Sequence, residues 1–158
     1  MKPVSLQAVV DEMNMLSDEA IAYINKRTGE LFTVTEEEAS LVDAGDEDSE
    51  FIPDWQKEAL PKVREVLASD DFLPLPDQFE IDEYSIMERF CLYTEDDALR
   101  EALLQAIRGK GAFRRFKDMV RRRGIEDDWY RHRDGALKRI AADFLELEGI
   151  AYVDDCGP

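Results

Sequence analysis

One histidine, two cysteines and no long apolar run leave this 158-residue chain few routes to the commoner chemistries. His132 is the only histidine, so a Ser-His-Asp or Cys-His relay would have to be built on it. Its neighbours Arg131 and Arg133 repel the cation that such a base becomes in its reaction. On a helix it would also lie off the apolar stripe, at a boundary position. Cys91 and Cys156 are far apart and form no CxxC pair, so neither a zinc site nor a disulfide framework is expected. Unclustered cysteines suit reduced thiols and a cytoplasmic protein. No apolar run approaches the roughly 18 residues that cross a membrane. The N-terminal "MKPVSLQAVVDEM" has no apolar stretch before its acids begin, so no signal peptide is expected. The sequence therefore predicts no catalytic residue, no metal, no cofactor and no membrane contact.

Two further motifs fail on inspection. "DAGDEDSEFIPD", residues 43–54, has the length of a calcium loop but carries Asp48 at the glycine position and Asp54 where a bidentate Glu belongs. It reads as a solvated loop. "GKG" at 109–111 suggests a P-loop, but Leu104 stands where the first glycine is needed and Gly111 where Ser or Thr must follow the lysine. Adjacent acids such as Asp70–Asp71 and Asp96–Asp97 read as helix-end and loop charges.

What the chain has in excess is acid, with 37 Asp and Glu against 20 Lys and Arg and a net charge of -17. The excess is unevenly placed. Residues 1–107 hold 27 acids and 8 bases, whereas residues 108–139 hold 12 bases and 5 acids. The last 19 residues have five acids and no base. Either the two parts face each other within one molecule, or the basic part is kept for a partner.

The pattern of apolar residues predicts an α+β fold. Val4, Leu6, Val9, Val10, Met13 and Leu16 recur at helical spacing, giving a helix over about 5–15. β-rich runs at 20–25 and 30–35 flank "KRTG", a hairpin whose loop uses Gly29. Thr35 and Glu38 make a capping box for a short helix over 36–43. A helix from Pro53 to about Ser69 should be bent or split by Pro61. "FLPLP" at 72–76 offers a third strand, confined by its prolines to a sheet edge. The rest reads as a larger four-helix part over 80–150, with an acidic tail at 151–158, the whole forming one domain. Its helices are 81–93; one capped by Thr94; the basic helix 112–123; and a last one opened by Asp127 or Asp128. That last helix should bury Trp129, Ala136, Leu137, Ile140, Phe144 and Leu147.

The basic helix is amphipathic. Phe113, Phe116, Met119 and Val120 share one face; Arg114, Arg115, Lys117, Arg121 and Arg122 cover the other, with Asp118 among them. Lys110, Arg114, Arg115 and Lys117 are the candidate contacts for an anion or partner near the helix start, where free N–H groups and the positive dipole end also lie. The competing reading is a tight turn whose bases meet acids elsewhere in the chain. Arg133, on the apolar stripe between Trp129 and Leu137, is expected to be mostly buried and paired with an acid of 77–101, with Trp129 in cation–π contact.

The hairpin "AYINKRTGEL", the words "GKGAFRRFKD" and "DDWYRHRDGALKRIA", and the closing "LELEGI" together resemble a bacterial group, uncharacterised protein family 0158. The resemblance covers most of the chain and is weakest over 43–58. It implies a small cytoplasmic protein of mixed α and β structure and brings no activity, cofactor or site residue. Three functional readings stand: a non-enzymatic interaction or regulatory module with an unknown protein partner; a nucleic-acid or phosphate binder acting through 108–123; and an acidic mimic of nucleic acid acting through 1–107.

Overall fold

The computed structural model describes residues 3–15, 19–45 and 52–156, with no account of the side chains of Gln78 and Phe79. The chain is mixed α+β with a helical C-terminal half. Its contacts divide it into two compact units, residues 1–80 with 140–158, and residues 81–139.

The first unit opens with strand β1 (Val4–Ser5) and helix α1 (Leu6–Asn14). Ser5 caps α1, its hydroxyl accepting the N–H of Ala8 at 3.1 Å. Leu6, Val9, Val10 and Met13 form the buried face; Leu16 and the 46–51 part of the acidic loop lie outside the described residues. Strands β2 (Ala20–Asn25) and β3 (Leu31–Thr35) form the hairpin, and β4 (Phe72–Pro74) joins it in the order β3-β2-β4. Pro74 sits opposite Tyr23 on this edge strand, where a missing N–H leaves no central ladder broken. Gly29 turns the hairpin at φ 78°, and a Cβ there would come within 2.8 Å of Val4 Cγ2. Only glycine meets both demands.

Helix α2 (Glu36–Ala44) follows directly, with both halves of the Thr35–Glu38 capping box formed. Helix α3 (Asp54–Ala68) continues through Pro61, so of the expected bend or split the split does not occur. Pro61 is exposed while Leu60, Val63 and Val66 are buried, so packing on the other side holds the turns together across the missing hydrogen bond. Val34, Val63, Val66 and Phe72 make the core between sheet and helix. The expected acidic tail contributes strand β5 (Tyr152–Val153), parallel to β1, and Val4 N–H donates to the Ala151 carbonyl at 2.9 Å.

The second unit is helical. The expected helix over 81–93 is α5 (Glu83–Leu92), which Asp82 at φ 52° separates from the short α4 (Gln78–Ile81) at the boundary between the units. Asp tolerates this left-handed conformation because its carboxylate can bond locally; here it accepts the N–H of Ser85 at 3.2 Å and its hydroxyl at 2.6 Å. Those bonds hold the carboxyl below its ordinary range. Helix α6 (Asp97–Ala106) is capped by Asp96, not by Thr94, whose hydroxyl donates to the Phe90 carbonyl. Helix α7 (Ala112–Arg122) is the basic helix.

The last helix, α8 (Glu126–Leu147), starts one residue before the expected acids. Its buried line is Trp129, Leu137, Ala141 and Leu145. The expected line through Ile140, Phe144 and Leu147 is rotated from this, and Leu147 is 84% exposed. Residues 126–139 of α8 belong to the second unit and the remainder to the first. Among the described residues, no helix is long and apolar enough to cross a membrane.

Candidate anion-binding surface

Helix α7 is held by its inner face. Phe116 and Val120 are fully buried, and the Phe116 ring meets Trp129 edge-on at 4.8 Å and Phe90 at 5.8 Å. His132 joins the same aromatic group, 5.5 Å from Phe90 and stacked on Trp129 at 6.2 Å. Its Nε2 lies 3.1 Å from the Ile86 carbonyl oxygen. A carbonyl only accepts, so Nε2 carries the proton in this contact. The sole histidine thus braces α8 against α5. Cys91 is buried, and desolvation pushes its thiol up to about 11, keeping it protonated at neutral pH.

The turn into α7 depends on glycine and one arginine. Gly109 and Gly111 take φ 73° and 77°, and the Gly111 N-cap has no side chain to accept the first N–H groups. The carbonyls that end α6 need donors. Arg115 supplies them: Nε donates to the Ala106 carbonyl at 2.9 Å, and its two terminal nitrogens donate to the Arg108 and Lys110 carbonyls. A Cβ on Gly111 would stand 3.0 Å from Arg115 Nη1, so the glycine makes room for the guanidinium. The charge also faces the negative dipole end of α6. Of the four side chains proposed for anion contact, Arg115 is therefore committed to closing the turn. Nothing in its sequence position separates it from its neighbours, although an uncapped "GKG" followed by a base four residues after Gly111 is the available signal.

The other three, Lys110, Arg114 and Lys117, are exposed. Arg108, Arg122 and Arg123 are exposed as well, and the side chains of these six make no hydrogen bond or ion pair with any described residue. Arg121 has a loose pair with Glu126 at 3.9 Å. Asp118 is exposed and pairs with none of the described bases. Beyond that loose Arg121–Glu126 pair, the competing reading, in which these bases meet acids of the same chain, finds no ion pair among the described residues. Arg114, Lys117 and Arg121 follow i, i+3, i+7 spacing, a stripe roughly 10 Å long at 1.5 Å per residue. Like charges at such spacing destabilise a helix by about 0.2–0.5 kcal/mol per pair, so helix stability does not explain the stripe.

Phe113 was expected to face inward and is 40% exposed. It meets Tyr84 edge-on at 6.4 Å, and the Tyr84 hydroxyl donates to the Ile107 carbonyl at 3.0 Å. Phe113 lies one turn from Lys117, so a small aromatic spot borders the cationic stripe. The sequence reading missed this pair because Phe113 fits the apolar arc of the helix.

Arg133 serves a separate purpose. Its Nε and Nη2 both reach Glu83 Oε1, at 2.7 and 2.5 Å, tying α8 to the start of α5. Its side chain is 24% exposed and that of Glu83 43%, so the pair is partly solvated. Among the described residues no three His, Cys, Asp or Glu side chains cluster as metal ligands would. The arrangement on α7 can attract and orient an anion; Tyr84, His132 and Arg133 of the same unit are held in structural contacts. No family model matches this chain, and neither a curated protein nor a solved structure matches it.

Proposed function

We propose that this protein is a non-enzymatic interaction module and that the outer face of α7 is its contact surface for an acidic protein partner. One observation carries the reading: six exposed bases over 108–123 have no partner among the described residues, although the chain is rich in acids. An acidic protein surface supplies the missing counter-charge and directs encounter over a Debye length of roughly 8 Å at physiological salt. The Phe113–Tyr84 spot adds an apolar contact, which protein interfaces use at their centres. Asp118 within the stripe and the net charge of -17 both disfavour a polyanion that gathers bases without discrimination. Membership of uncharacterised protein family 0158 and a cytoplasmic location belong to the same proposal.

A second reading, nucleic-acid binding through 108–123, draws on the exposed aromatic pair beside the bases, since rings next to cations also suit stacked single-stranded bases. The acidic-mimic reading finds no such specific feature. The test is photo-crosslinking from position 117 in the native host, in the parent and in Arg114→Glu with Arg122→Glu. A protein captured by the parent and lost in the variant, with the helical circular dichroism retained, supports the module. Submicromolar binding of purified protein to single-stranded nucleic acid at about 0.15 M salt, with a salt slope flattened by the same variant, would replace it with the second reading.

A further inference from the structure

The first unit contains a groove of opposite character, of about 620 Å³, where the hairpin end meets the starts of α2 and α3. Glu19, Glu36, Glu37, Glu38, Trp55 and Gln56 line it. We propose that this groove binds the Lys and Arg side chains of a basic peptide segment. The inference is independent of α7, resting on other residues in the other unit.

Acids alone would not make a site, and three features here go further. The first is Gln56, which is 6% exposed and the one buried polar residue among those described. Its amide bonds to no described side chain or carbonyl, yet no described polar atom is both shut off from solvent and unbonded. The amide therefore keeps access to solvent, and the residue lines the groove; such an amide has a carbonyl for a cation or peptide N–H and an NH₂ for a peptide carbonyl. The second is Trp55, an indole left 72% exposed at the groove rim. A guanidinium or ammonium over its face gains cation–π attraction. The third is the first turn of α2. Glu38 uses Oε1 on the N–H and hydroxyl of Thr35, while the carboxylates of Glu36 and Glu37 make no bond to any described residue. Their charges reverse the cation-repelling sign of a helix start.

The lining of the depression favours a peptide over a small polyamine. An adjoining hollow of about 300 Å³ shares Glu19, Ala20, Thr35 and Glu36 with the groove. It adds Ile21, Tyr23, Val34 and Ala39, with Ile21 47% exposed. A polyamine has no apolar branch to place there, whereas a peptide can seat a Leu or Val side chain in the hollow and its basic neighbours between Trp55 and the glutamates.

Calorimetric titration of the full chain with a blocked Arg-Leu-Lys-Arg-Lys peptide tests this at about 0.15 M salt, where loose attraction to an acidic surface is screened. Saturable one-site binding is expected, accompanied by a shift in tryptophan emission, which reports Trp55 because Trp129 is buried. Trp55→Ala, Glu36→Gln with Glu37→Gln, and Gln56→Leu should each weaken it by about tenfold. Gln56→Leu leaves the net charge unchanged, so its effect separates the groove from the general field; the exposed Trp55, Glu36 and Glu37 can be changed even if that variant folds poorly. Absence of saturation, or equal binding by the exposed-residue variants, would overturn the site. Spermine binding as tightly as the peptide, with the same dependence on these residues, would overturn the peptide assignment in favour of a polyamine.

Discussion

The two units use basic residues in opposite ways. Residues 1–80 with 140–158 carry 25 acids and six bases, and two of those bases stitch the fold. Arg27 pairs with Asp71 at 3.1 Å; Lys62 reaches Glu30 at 2.7 Å and Glu65 at 3.5 Å while lying over the Phe72 ring. Residues 81–139 hold 14 bases against 12 acids, near balance, yet α7 leaves Arg114, Lys117 and Arg122 unmatched. Elsewhere in that unit Arg100 pairs with Asp97, Arg131 with Asp128 and Arg133 with Glu83. Overall charge therefore does not decide which bases are neutralised; position does. On α7 the unmatched ones, Arg114, Lys117 and Arg122, lie on the side of the helix opposite the face anchored by Phe116.

The sharpest division runs through α7 itself. Phe116→Ala removes a fully buried ring between Phe90 and Trp129 and should destabilise the protein by about 3–5 kcal/mol in urea denaturation. A loss under about 1 kcal/mol would mean that α7 is not anchored by this face. Arg115→Ala should come next, at about 1.5–3 kcal/mol, because the carbonyl that ends α6 and two carbonyls of the following turn lose a charged donor. Arg115→Lys should fail to restore it, since an ammonium cannot span the three acceptors. If Arg115→Ala instead melts like the parent, Arg115 belongs with the free cations.

Arg133→Ala should cost about 1–2 kcal/mol, below the roughly 3–5 kcal/mol of a fully buried pair, because Glu83 keeps access to water. Thermal melts of Arg133→Ala and of Arg133→Ala with Glu83→Gln decide the point; the double variant should recover part of the loss.

The smallest effect concerns the β1–β5 pair. Asp155 accepts the Ser5 hydroxyl at 2.6 Å and the Gln7 N–H at 3.0 Å, and these bonds hold its carboxyl below the ordinary range. A depressed acid contributes its stabilisation above its unfolded pKa of about 3.9 and loses it as pH falls through the lower folded value. Hydrogen-exchange protection at the Val4 N–H should thus be constant above about pH 5 and drop below about pH 4, and Asp155→Asn should remove that pH dependence.

Much of the fold was legible because local chemistry decided it. The β-rich runs around "KRTG" and the paired Thr35 and Glu38 produced the hairpin and capping box where expected. Where several residues could do one job, the sequence did not choose among them. "TEDD" offers more than one cap, and Asp96 takes the role expected of Thr94. The break at Asp82 carries no glycine or proline to announce it; it depends on Ser85 being in reach. Strand β5 is two residues long, too short for a pattern. In the candidate site the cationic arc of α7 was readable from spacing. The removal of Arg115 from that arc was not, since it depends on carbonyls at the end of a different helix. Gln56 likewise looks like any surface glutamine until its burial is seen.

The central claim is that the outward bases of α7 do nothing for the fold and are kept for a partner. Chemical denaturation of the triple variant Arg114→Gln, Lys117→Gln, Arg122→Gln against the parent tests its first half most directly. Stability equal to the parent's or higher by a few tenths of a kcal/mol is expected, because unpaired like charges are being removed from one helix face. A loss above about 1.5 kcal/mol would show that these bases are paired within their own chain and would contradict the account.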